Sequence, residues 1–132
     1  MTERWHWRPL RWQRLAAAAV LVALVAALFH QGAQPYAVGL IPSPWDKLAH
    51  LALFGMLAAL FWLLANARHP WLILFVVSAI GAADELAQLR LPGREPGLDD
   101  LLADVAGASI TLLILSRLAR DVGGHNENGS VG

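Results

Sequence analysis

SAIGAADELAQLRLPGREPGLDDLLADVAGASIT, residues 78–111, decides how the rest of the chain is read. It begins and ends in apolar sequence, yet Asp84, Glu85, Gln88, Arg94, Asp100 and Asp104 stand near its middle. Pro92, Gly93, Pro96 and Gly97 break it in two, as a turn between helices does. Charges this close to apolar runs are costly in lipid. They are therefore expected to face protein or water and to mark a functional site.

Working outward, the composition fits that reading. Of 132 residues, 57% are hydrophobic and only 15% are charged, above the roughly 45–50% apolar fraction of soluble domains. A soluble domain of this size buries only about two thirds of its surface and would have trouble hiding so much apolar area. A membrane protein is expected. The chain has no cysteine, which excludes disulfides, thiolate metal sites and cysteine nucleophiles.

Four apolar segments approach the roughly 20 residues that a helix needs to cross a bilayer. They are Leu15 to Phe29, Trp45 to Asn66, Trp71 to Leu91 and Leu98 to Leu118. No small-x-small cleavage pattern follows the first, so it is expected to stay as a helix rather than leave as a signal peptide. Pro35, Gly39, Pro42 and Pro44 make the next connection, and Ser43 and Pro44 suit the cap and first position of helix two. The fold class is all-α, a polytopic four-transmembrane-helix bundle with short loops. Residues 1–14, with four arginines among tryptophans, read as a cytoplasmic basic and aromatic anchor. Residues 15–120 form the membrane domain, and the polar, Gly-rich residues 121–132 read as a disordered cytoplasmic tail. Trp5, Trp12, Trp45, Trp62 and Trp71 read as interface anchors.

Charge supplies the orientation. With the amino terminus inside, the inner segments hold Arg4, Arg8, Arg11, Arg14, Arg68, Arg117 and Arg120, and the outer ones only Lys47, Arg90 and Arg94. The positive-inside rule then places both termini in the cytoplasm. Asp46, Asp84, Glu85, Glu95, Asp99, Asp100 and Asp104 all fall on the outer side. Helical spacing aligns Ser78, Gly81, Glu85 and Gln88 on helix three, and Asp100, Asp104, Gly107 and Thr111 on helix four. Short loops bring these stripes together with Asp46, Lys47 and His50 of helix two. Arg94 is expected to close over the ends of helices three and four, because clustered carboxylates need cationic partners. The outcome is an outward-opening polar pocket between helices two, three and four, with helix one mainly packing and anchoring.

Plainer readings stand beside each candidate. Asp46 and Asp100 suit the positive ends of their helices. Lys47 and Arg90 are long enough to snorkel to the lipid surface. Gln88 can bridge neighbours, and His50 can serve as an interhelical donor. The remaining histidines are scattered, with no two at ligand spacing.

The series DKLAH at 46–50, ELAQ at 85–88 and GREPGLDDLLADVAGA at 93–108 resembles the VanZ-like family of small integral membrane proteins. In that family an aspartate–lysine pair and a histidine precede a glutamate–glutamine pair, a loop arginine, and a helix with aspartate, a polar residue and glycine. Asp46, Lys47, His50, Glu85, Gln88, Arg94, Asp100 and Gly107 match these places in order. Asp104 stands where the family usually has asparagine, and Gly97 where serine or threonine is common.

The resemblance implies an inner-membrane protein of the cell envelope, from a family whose namesake is associated with resistance to the glycopeptide teicoplanin. The favoured expectation is an accessory protein that binds the head group of a membrane lipid or lipid-linked cell-wall precursor, with no nucleic acid as partner. Its ligand-binding residues are Lys47, His50, Glu85, Gln88, Arg94, Asp100 and Asp104, with Asp46 and Gly107 in structural or capping roles. Lys47 and Arg94 would meet phosphate, and the carboxylates and Gln88 would meet sugar or peptide groups. An alternative is an intramembrane acid–base or metal-assisted hydrolase or transferase using His50, Glu85 and Asp104. That trio is also the alternative ligand set for a divalent cation, where none is otherwise expected. No HExxH, GxSxG or Walker A motif supports an enzyme, so that question stays open. A small transporter is the third class.

Overall fold

Four helices make up most of the described residues. A computed structural model describes residues 9–37, 39–93 and 97–128, with the side chains of 122–128 excepted. The helices are α1 (Arg11–Gly32), α2 (Trp45–Leu64), α3 (Pro70–Gln88) and α4 (Leu98–Asn128), with a 3-10 turn at Pro35–Ala37. All four are long and apolar enough to cross a membrane, and the described residues contain no strand. The protein is an all-α membrane bundle.

Local sequence sets where each helix begins and ends. Gln13 turns its side chain back to accept the Leu10 N–H at 2.9 Å, tying down the start of α1. The α2–α3 connection is tight because Asn66, Ala67 and His69 take positive φ, a conformation that asparagine tolerates better than most residues. Pro70 then stands at the first position of α3, where its missing N–H is no loss. Pro44 occupies the cap position of α2, one residue later than the expected Ser43 cap, and no side chain caps that end. Helix α4 continues to Asn128, past the expected boundary at 120. Extending an existing helix fixes one residue per hydrogen bond, and Gly123 and Gly124 weaken such a helix by only about 1 kcal/mol each.

Packing is uneven. Contacts are densest between α2 and α4, fewer between α3 and α4, and fewer again between α1 and either α2 or α3. Glycines explain the tight seam. A Cβ on Gly107 would lie 2.9 Å from the Leu51 carbonyl carbon, and one on Gly55 would lie 2.8 Å from Thr111 Oγ1. Only a missing side chain lets the α2 and α4 backbones come so close. The core is Leu21, Phe54, Leu57, Ala58, Trp62, Ile73, Val77, Ala108 and Leu112. Trp62 thus packs inside rather than anchoring at an interface, while Trp45 and Trp71 are 64% and 81% exposed. Leu15, Val22, Phe75 and Leu113 are also exposed, as side chains facing lipid should be. At one end Arg14 donates to the Leu64 carbonyl at 3.3 Å, so the start of α1 lies beside the end of α2. The opposite end gathers the polar residues.

Candidate functional site

Three helices deliver the polar groups to one place. The first turns of α2 supply Asp46, Lys47 and His50, the last two turns of α3 supply Asp84, Glu85 and Gln88, and the start of α4 supplies Asp99, Asp100 and Asp104. The close α2–α4 seam brings Lys47 to Asp99 and Asp100, and His50 to Asp104.

Lys47 sits among carboxylates. Its Nζ donates to Asp46 Oδ2 at 2.8 Å, pairs with Asp99 Oδ2 at 3.0 Å, and makes a short contact with Asp100 Oδ1. Asp46 also accepts the Lys47 backbone N–H at 2.9 Å, inside the first turn of α2. One turn deeper, His50 Nδ1 meets Asp104 Oδ1 at 2.8 Å, and the imidazole stacks on Phe54 with centroids 6.2 Å apart. Asp104 is only 1% exposed. Gly81 makes room for it, since a Cβ there would lie 2.6 Å from Asp104 Oδ2.

On α3, Glu85 accepts the Gly97 N–H at Oε2, 3.1 Å away. The other oxygen, Oε1, is buried and has no hydrogen-bond partner among the described residues. Gln88 Nε2 donates to Asp84 Oδ2 at 2.7 Å, and both residues are 2% exposed. His50, Glu85 and Asp100 each offer one ligand atom within 4.8 Å of the others. Asp104 is not part of that trio, and its carboxylate lies against His50 Nδ1. The geometric ligand set therefore differs from the expected His50, Glu85 and Asp104. Gly107 lies in the seam below, and Arg94, expected to close over the site, falls outside the described residues.

Beside this cluster is a cavity of about 710 Å³. One wall is polar, with Asp46, His50, Asp84, Gln88 and Asp100. The other is largely apolar and comes from α1 and the following connection, with Leu24, Leu28, Tyr36, Leu40 and Ile41. On α2 the lining residues are Asp46, Ala49, His50 and Leu53, the i, i+3, i+4, i+7 face of one helix. The cavity thus opens between α1, α2 and α3. Asp100 of α4 also lines it, so the expected helices two, three and four all reach the cavity, and α1 is the wall the sequence did not show. Helix α1 forms a wall of the site as well as packing.

Sequence reasoning named Asp84 among the buried charges but left it out of the ligand-binding set. The stripe through Ser78, Gly81, Glu85 and Gln88 runs one residue to the side of it. The signal was present in its i, i+4 relation to Gln88. The end of α1 also comes close, since a Cβ on Gly32 would lie 2.9 Å from Asp84 Oδ1.

Comparison with known proteins gives one match. The model of a family described as VanZ/LLP1 matches residues 4–120, spanning all four membrane helices. No curated protein and no solved structure matches the chain.

Proposed function

The chain belongs to the VanZ/LLP1 family of membrane proteins, and on that premise we propose that it is an envelope accessory protein binding the head group of a lipid or lipid-linked precursor. One observation carries this reading. The cavity of about 710 Å³ pairs an apolar wall from α1 with a polar wall from α2 and α3, which suits a molecule with an acyl chain at one end and polar atoms at the other. Cavities of roughly 300–1,000 Å³ hold small-molecule ligands. An apolar bundle would also be less costly to build in lipid than one holding these carboxylates.

In this reading the protein lies in the cytoplasmic membrane with both termini inside, and the head-group cavity opens outward. The warrant is the arginine excess near the ends of the bundle remote from the cluster. Single cysteines added to this cysteine-free chain at Gln34 and Asn66 should react from the outer face at Gln34 only; the reverse pattern would invert the site.

The ligand test uses native mass spectrometry from mild detergent. Ala49 is exposed and lines the cavity, so Ala49→Trp fills it without disturbing the core. Retained lipid should fall at least several-fold in this variant and stay unchanged in Leu113→Trp, on the lipid-facing side of α4. Equal retention in both variants would contradict the reading. A second reading is acid–base chemistry on the same head group, favoured by the His50–Asp104 pair beside Glu85. Release of a head-group fragment by the wild type, abolished in His50→Gln, would select it.

A further inference from the structure

The polar end of the bundle carries far more negative than positive charge. Among the described residues Asp46, Asp99 and Asp100 pair with Lys47 and Asp104 with His50, and Glu85 has neither. Lys47 is already engaged by Asp46, Asp99 and Asp100. It has little positive charge left to offer to the deeper carboxylates or to an anionic head group. Buried carboxylates that face one another without a cation are strongly unfavourable.

Two further observations narrow where a cation belongs. The ligand atoms of His50, Glu85 and Asp100 lie within 4.8 Å of one another, a spacing at which one metal ion could touch all three. Glu85 is 7% exposed, and its Oε1 has no hydrogen-bond partner among the described residues. A carboxylate oxygen buried in this way needs a partner.

We propose that His50, Glu85 and Asp100 bind one first-row divalent cation, Zn²⁺ or Mn²⁺, at the polar edge of the cavity. The donor set selects the class of ion. Imidazole with two carboxylates suits these metals, whereas Mg²⁺ and Ca²⁺ favour all-oxygen ligands. His50 is arranged as a metal-binding histidine commonly is. Its Nδ1–H donates to Asp104, which fixes the ring and leaves Nε2 for the ion. Asp104 is then a positioning residue, and asparagine at the same place, as is usual in the family, offers a carbonyl for the same bond with less charge. Lys47 holds one oxygen of Asp100 and leaves the other for the metal. His50 and Asp100 both line the cavity, so the open coordination positions face it. There the ion would take a phosphate or carboxylate oxygen of the head group. That last step rests on the proposed lipid-binding function; the ion site itself does not.

The test is a calorimetric titration of the full-length, delipidated protein in detergent with ZnCl₂ and, separately, MnCl₂. One ion per chain is expected. Glu85→Gln and Asp100→Asn should weaken binding at least tenfold, and Asp104→Leu should weaken it about 10–100-fold through loss of ring positioning, with Asp104→Asn restoring most of it. Asp121→Asn, at an exposed carboxylate near the far end of α4, should leave it unchanged. No binding by the folded wild type, or unaltered binding in both Glu85→Gln and Asp100→Asn, would overturn the site. If those variants do not fold, the visible absorption of wild type loaded with Co²⁺ decides. Ligand-field bands of a mixed nitrogen and oxygen site support the proposal, and a spectrum of aqueous Co²⁺ overturns it. No lipid is present in these titrations, so a failed lipid-retention assay leaves their result standing, and the converse holds.

Discussion

The seam between α2 and α4 and the groove beside α1 are two ways of placing helices together, and they do different work. In the seam, Gly55 and Gly107 let backbones touch, and the contact is too close for any ligand. That closeness brings Lys47 within reach of Asp99 and Asp100, and His50 within reach of Asp104. Beside α1 the packing is sparse and a cavity of about 710 Å³ remains. The tight interface fixes the polar groups, and the loose one gives them something to face. Precise placement and open space are thus separated between two helix pairs that share α2.

The comparison breaks most severely at Gly107. Any side chain there would run into the Leu51 backbone, and overpacking costs about 1–3 kcal/mol even where neighbours can shift. Gly107→Val should therefore cost about 3 kcal/mol, read as a large fall in thermal midpoint or loss of the folded peak on size exclusion in detergent. A smaller effect is expected at Lys47. Its side chain is 27% exposed, between the surface pairs worth under about 1 kcal/mol and the buried ones whose breaking costs about 3–5. Lys47→Met should cost about 2 kcal/mol, and adding Asp100→Asn should recover part of it. Recovery would show that unpaired carboxylates, rather than lost packing, carry the penalty. The smallest effect belongs to the lipid-facing side of α1. Val22 is 68% exposed, so Val22→Ala should change stability by less than about 0.5 kcal/mol. A large loss there would mean that α1 is held more tightly than its sparse contacts imply.

Much of this arrangement can be read from the sequence. Apolar length finds the four helices, and the order of Asp46, Lys47, His50, Glu85, Gln88 and Asp100 finds the groups that meet. These features are written in periodicity and residue type, which act locally. The cavity is not legible in this way. It depends on how loosely α1 lies against α2 and α3, and the apolar residues of α1 look alike whether they face lipid, core or ligand space. The pairing of Asp84 with Gln88 is legible in their i, i+4 spacing, but the approach of the end of α1 to Asp84 is not. Trp62 misleads because a tryptophan near a helix end reads as an anchor until its neighbours are known.

The central claim is that the groove between α1 and the polar ends of α2 and α3 holds an amphiphile by its head group. A crystal structure grown from a lipidic mesophase containing native membrane lipid tests it most directly. The account predicts α1 in its present place, with continuous density running from beside Leu24 and Leu28 to a polar head within hydrogen-bond reach of Gln88, His50 or an ion between His50 and Asp100. It is contradicted if α1 closes against α2 and α3 with no space between them, or if the groove holds only acyl chains and the carboxylates satisfy one another without a ligand.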